Sequence, residues 1–458
     1  MRMTLRRMKK NTTDTTRVGR IAHSIAVQVS SMPSRIPAVS GRPPRTTPPH
    51  PVERRSHPPS SYRAPRTIRR CGHSRPMTTT IVRATSSSAF LSVVPHLLEC
   101  TPRQSLVIVP FDGNQSLGAM RVDLPPEGDA AEDGLASTVI GMACKVRRTD
   151  GVAIVVYADA PLAAGLPHLG FVDAVRSRAQ ICGLRLVDAL VVGADGWASF
   201  FEPAAIHPLA EIAAHPAPTV DGVEVHPDQT SAAALPDVDA ESARAFGRLL
   251  DDVEVALHRT SARRRVGPAR RARIDEAVAG IGDPPALFER IASTPTDQLG
   301  LGHLAALGFC LERPALRDVA LVQWATDLPT GDAVLHAQTE YRTGTPIPPD
   351  LARPLYGEGA LPDPSRLRAG LDACRRVAAL TPEDRRPGPL AACAWLAWAG
   401  GRASHAATYA ERALRIDARH GLSEIVLTLV SAGQLPEWVY ERPTSPAGTG
   451  SSRGFRAR

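Results

Sequence analysis

Up to about residue 213, apolar runs of strand length alternate with helically spaced stretches, and beyond residue 236 no strand-like run recurs. This change of period confines the chain to a helix-covered sheet followed by a part built of helices alone, because burying every second residue and burying residues three and four apart require different backbones. "SLVIVPF" from Ser105 and "LGAMRVDLP" from Leu117 read as strands, and the Gly113-Asn114 loop between them suits a hairpin. "DAAEDGLASTVIGMACKVRR" has helical spacing, "GVAIVVYAD" is a strand-length apolar run, and "LPHLGFVDAVRSRAQICG" is helical again. "LRLVDALVVGADGWASFF" then reads as two strands around Asp195-Gly196. The expected class is α/β, with α+β as the alternative, over residues 81–215.

A linker rich in Pro and His is expected over 216–236 and a helical domain over 237–440. Within the helical domain, "GPLAACAWLAWAGGRASHAATYAERALRIDARHG" carries a helix ending at Gly400-Gly401. A second helix follows, with Ala406, Tyr409, Ala410, Ala413 and Leu414 on one face. This reads as one helix pair of the tetratricopeptide type near 388–418, and a single unit is a packing element, since a solenoid needs about three repeats.

Composition matters most at the start. Met1 to Pro76 holds 17 Arg or Lys against Asp14 and Glu53 and is loaded with Pro, Ser and Thr, so it cannot bury enough apolar surface to offset chain entropy. Disorder is expected over 1–80, and again over 441–458. The whole chain is +8, the first 76 residues are +15, and the remainder is therefore −7. Nucleic-acid binding is thus expected of the tail alone, if at all, because no basic face with groove-reading elements is visible beyond it. The tail admits three readings: a transit-like segment, an electrostatic tether, or an upstream frame read ahead of a true start at Met77. The use of 51 Arg against 3 Lys favours the last, as in GC-rich bacterial coding sequence.

No apolar run approaches the roughly 18 residues that would span a bilayer, so a soluble protein without a membrane partner is expected. Seven cysteines, at 71, 100, 144, 182, 310, 374 and 393, show no paired spacing. Neither a disulfide framework nor a zinc cage is expected, and a reducing cytoplasm is the expected setting.

The candidates for chemistry each have a plain structural explanation beside them. In "FLSVVPHLLECTPRQSLVIVPF", Phe90 to Phe111, Ser88 can cap a helix through Leu98, Pro95 can interrupt it, and Thr101-Pro102 turns the chain toward Ser105. His96 at the helix end is a ligand-binding candidate, though a backbone partner would satisfy it equally, and Cys100 has no base near it in sequence. Arg121 and Asp123, two apart on a strand, share one face and could clamp a ligand or merely pair. Tyr157 and Asp159 close "GVAIVVYAD", where open sheets with crossover helices hold their ligands, but an Asp there also caps turns. His207, Glu211 and His215 fall at helical spacing for a metal, yet Pro208 and Pro216 argue against one helix. "GLGHLA", Gly300 to Ala305, lacks the preceding strand a dinucleotide loop needs, and no phosphate-binding loop, nucleophile elbow or His-Glu-x-x-His is present. No cofactor and no metal is expected.

"VVPHLLECTPRQSLVIV", "RVDLP", "VAIVVYAD", "GLRLVDALVVGADGWASF", "LRDVAL" and "AWLAWAGGR", in that order between about Ser86 and Pro436, resemble a bacterial family catalogued as domain of unknown function 4192. Glu99 and Cys100 depart from the Leu-Leu-Gly-Phe-x-Pro of that family. "WASFFEPAAIHPLAE" also lacks the cysteine and Cys-Cys-Pro that its members place after the last strand. The resemblance implies an architecture and an intracellular bacterial setting, and no activity. A binding or regulatory protein with an unidentified protein or small-molecule partner is expected. The alternative is an enzyme, such as a hydrolase, with a pocket at the strand ends formed by Asp159, Asp123 and Arg121.

Overall fold

A computed structural model of the protein describes residues 18–22, 25–29, 80–129, 132–216, 225–258 and 267–441. The sheet part runs β1 (Val18–Ala22), β2 (Ile25–Val29), β3 (Thr80–Ala84), α1 (Ser87–Leu98), β4 (Ser105–Asp112), β5 (Gln115–Ser116), β6 (Ala119–Asp123), α2 (Glu132–Lys145), β7 (Gly151–Tyr157), α3 (Leu169–Ile181), β8 (Arg185–Val192), β9 (Trp197–Ser199), β10 (Glu202–His207) and α4 (Ala210–Ala213).

Seven strands from Ser105 to His207 make a mixed sheet with β4 and β7 at its centre. Ser105 through Phe111 and Gly151 through Tyr157 are buried without a break, the signature of strands covered on both faces. β4 is antiparallel to both β6 and β7, β7 and β8 are parallel, and β9 and β10 extend the far edge antiparallel. On the other side β1 pairs with β6, β2 with β5, and β3 with β2. Of the tail expected to be disordered over 1–80, the two strands β1 and β2 and the first residue of β3 are described. The rest, with Met77 and the end over 442–458, lies outside the described residues.

Alternation along β4 divides the core. Val107, Val109 and Phe111 face α1 with Ala153, Val155 and Leu190. Leu106 and Ile108 face α2 and α3 with Met120, Val122, Ile154 and Val156, and that second cluster continues without interruption into the helical part. Each such aliphatic side chain, fully buried, contributes about 1.5–3 kcal/mol, so one connected core ties the two parts together.

Three local expectations need correction. The cap of α1 is Ser86, whose hydroxyl accepts from Ala89 N at 3.1 Å, rather than Ser88. Pro95 does not interrupt the helix: it sits one turn from the end, where its missing N–H removes a single bond, and the chain leaves at Glu99 in left-handed backbone with φ 55°. Asp195-Gly196 is likewise no two-residue turn, because Val192 pairs with Trp197 and all of Gly193 to Gly196 forms the connection. Asp195 instead accepts from Leu162 N at 2.7 Å, a bond that holds its carboxyl below the usual range.

The helical part comprises α5 (Ala240–His258), α6 (Pro268–Gly282), α7 (Pro284–Ser293), α8 (Leu301–Leu311), α9 (Pro314–Ala325), α10 (Leu328–Tyr341), α11 (Pro349–Ala352), α12 (Pro364–Leu380), α13 (Pro387–Ala399), α14 (Ala403–Ile416) and α15 (Gly421–Ser431). Every residue of α13 is buried, so neighbours surround it. α14 is amphipathic, with Ala406, Tyr409, Ala410 and Ala413 inside. α13 starts close against the end of α8: a Cβ on Gly388 would stand 2.5 Å from the Leu311 carbonyl oxygen. Among the described residues no helix is long and apolar enough to cross a membrane.

Candidate functional site

Ser105 opens β4 and is paired with Asp123 of β6 on one side and Tyr157 of β7 on the other. β6 therefore runs in the same direction as β7, and with strands about 4.8 Å apart the ends of the two lie about 10 Å from each other. Arg121, two residues before Asp123, shares its face. These side chains gather on the α1 side of the sheet, where α14 of the helical part also arrives.

Arg121 is 2 % exposed. Its guanidinium donates to Ser105 Oγ at 2.8 Å, to Asp123 Oδ1 at 2.5 Å and to Ser404 Oγ on α14. Such a charge is tolerable only because each of these acceptors is in place. Beside it lies a cavity of about 10 Å³, the lower limit for a single water. Leu98 at the end of α1 and Cys100 beyond it, Arg121, Gln229 of the linker, and Arg402, Ser404 and His405 around the start of α14 line it.

Tyr157 is the last residue of β7 and 8 % exposed. Its hydroxyl is buried without a hydrogen-bond partner, and burial, then the nearby Cys100, push the phenol well above its ordinary value. Tyr157→Phe is expected to leave stability unchanged or raise it by up to about 1 kcal/mol, since an unsatisfied buried hydroxyl is a liability. Urea unfolding checks this, and a loss larger than about 1 kcal/mol would reveal a partner for the hydroxyl.

Asp159 is placed elsewhere. It lies two residues past β7 with a side chain 56 % exposed and pairs across 3.6 Å with Arg103, itself 64 % exposed. It is absent from the lining of the Arg121 cavity, as is His96, which stands half-buried on the last turn of α1 with its pKa lowered by burial. His207, Glu211 and His215 share no helix: His207 belongs to β10 and stacks on Trp197 at 4.3 Å, while α4 covers only Ala210–Ala213. His215 Nε2 instead lies 2.9 Å from Ser88 Oγ, and the adjacent Ser87 hydroxyl donates to Asp188 at 3.0 Å. Among the described residues no group of three or more His, Cys, Asp or Glu is placed to hold a metal.

A buried ion pair escaped the sequence reading. Arg317 and Asp318, 6 % and 4 % exposed, sit side by side inside α9. Asp318 Oδ1 accepts from Arg317 Nε at 3.1 Å and from its terminal nitrogen at 2.9 Å. Burial pushes the Asp318 carboxyl up despite Arg317. Close by, burial and then the Arg317 charge draw His420 down to about 4. The available signal was two opposite charges in the otherwise apolar "PALRDVALVQWA".

A mixed sheet with a helical continuation and a buried arginine at their junction defines an architecture without naming a reaction. The sequence profile described as "Domain of unknown function (DUF4192)" matches residues 88–350, and the chain belongs to that family. The match takes in β4 to β10 and the helices from α1 to α10 and ends inside α11, leaving out β1 to β3, and "AWLAWAGGR" on α13 also lies beyond it. No curated protein and no solved structure matches the chain.

Proposed function

We propose that this protein acts by binding, in a reducing cytoplasm, and that its response to a partner is seated at Arg121. The observation that supports this reading is the shared guanidinium: one buried charge bonds Ser105 and Asp123 of the sheet and Ser404 of the helical part, beside a space of about 10 Å³. Pockets for small-molecule ligands are typically about 300–1,000 Å³, so a partner acts on the surrounding surface and is read through the junction. The net −7 of the chain beyond residue 76 favours a protein or small polar partner over nucleic acid. The test compares the full chain with Arg121→Met in affinity capture and against a panel of activated esters, amides and phosphate monoesters. The expected result is a partner retained stoichiometrically by the unaltered chain, lost from Arg121→Met, with no substrate consumed. Many product molecules per chain would overturn it.

A hydrolase is the second reading, and a different place from the strand ends supports it. Ser88 Oγ lies 2.9 Å from His215 Nε2, a separation at which an imidazole can take a hydroxyl proton. On this reading Ser88 is the nucleophile and His215 its base. Labelling by a fluorophosphonate that Ser88→Ala abolishes would favour it. An unlabelled Ser88 leaves the hydrogen bond as an anchor holding α4 against α1.

A further inference from the structure

β6 and β7 point the same way, and β7 is parallel to β8 with Gly151 opposite Arg185. The helices that lead into β7 and β8, α2 and α3, therefore lie side by side on one face with their C-terminal ends together. Arg178 of α3 fixes that alignment: its Nε donates to Ser137 Oγ on α2 at 3.1 Å, and it pairs with Asp133 at 3.4 Å. One or two turns further along, the same alignment joins Cys144, next to last in α2, to Cys182, the C-cap of α3. Seven residues past Ser137 and four past Arg178, the two cysteines fall on the facing sides of these helices, and both are exposed, while Cys100, Cys310, Cys374 and Cys393 are buried. Partial burial, then Cys182, hold the Cys144 thiol above its ordinary value.

We propose that Cys144 and Cys182 form a redox modification site that closes reversibly into an intrachain disulfide by exchange with a low-molecular-weight disulfide. The Cys182 thiolate attacks one sulfur of that disulfide, forming a mixed disulfide and releasing one small thiolate. Cys144 then gives its proton to solvent and attacks the Cys182 sulfur. The Cys144–Cys182 bond forms, the mixed disulfide breaks, and the second small thiolate leaves. Two protein thiols are oxidised and one small disulfide is reduced to two thiols. Two cysteines on facing sides of neighbouring helix ends need little backbone movement to bond, and the bond fastens α2 to α3 at one end of the sheet.

The test treats the reduced full chain with excess 2-hydroxyethyl disulfide, alkylates the remaining thiols and maps unreduced peptides by mass spectrometry. The expected result is joint loss of two alkylatable thiols, a Cys144–Cys182 cross-linked peptide from a single chain, its reversal by dithiothreitol, and a higher urea midpoint for the oxidised form. In Cys144→Ser the reaction should stop at a hydroxyethyl adduct on Cys182. In Cys182→Ser it should stop on Cys144. The proposal is overturned if the unaltered chain also stops at separate adducts, or if either cysteine bonds to another chain or another cysteine instead.

Discussion

Arg317→Met is expected to lower stability by about 3–5 kcal/mol at pH 7.5, because it strands the Asp318 carboxylate in the helical core. Asp318 is 4 % exposed and takes both of its charge-assisted bonds from Arg317. Its carboxyl is already raised by burial in the intact protein. A carboxyl with a folded pKa above its unfolded value favours folding when protonated, so that stability is fully present below the unfolded pKa and is lost as pH rises through the folded one. Removing Arg317 raises the folded value further and deepens the loss at neutral pH. His420 acts in the opposite sense on the intact protein: its folded pKa is drawn to about 4 by burial and by Arg317, so stability is lost as pH falls from 6.5 toward 4. The variant relieves part of that depression. The deficit of Arg317→Met should therefore be largest at pH 7.5 and shrink toward pH 4.5, and Arg317→Met with Asp318→Leu should recover most of it. Urea midpoints at the two pH values decide the matter. A deficit independent of pH, or none, would show that Asp318 finds other partners.

The strands that were legible in the sequence are those whose burial leaves a continuous apolar record. "SLVIVPF" and "GVAIVVYAD" are buried on both faces and read directly as β4 and β7. Their relative direction was not legible, since strand order depends on which connections cross over. Asp159 stands apart from Arg121 because β4 runs antiparallel to β7 and brings Arg103, just ahead of it, against Asp159. The three serines 86–88 are equally good caps by composition, and only the backbone at Ser86 selects one. Arg121 and Asp123 could be placed on one face from their spacing, but Ser404, 283 residues away, could not be joined to them. Cys144 and Cys182 are alike in this respect. Their placement at neighbouring helix ends follows from two side-by-side helices and leaves no local spacing to read.

Arg121→Met should lower stability by about 2–3 kcal/mol. Hydrogen bonds to a charged group contribute about 1.5–3 kcal/mol each, but Asp123 is 36 % exposed on its side chain and is partly rehydrated once Arg121 is gone, which offsets some of the loss. Ser105, fully buried, keeps its donation to the Arg103 carbonyl at 2.6 Å and so is not left without a partner. Ser404 loses its bond across the junction. Ser404→Ala alone removes that bond and leaves the guanidinium its two sheet acceptors, so its expected effect is about 1 kcal/mol. The two changes share one interaction, and the double variant should be less destabilised than the sum of the singles, by about 0.5–1 kcal/mol. Urea unfolding of the four proteins measures this coupling directly. Strict additivity would mean that Arg121 and Ser404 do not act on each other, and the junction would then rest on the apolar cluster that runs from the sheet into the helices.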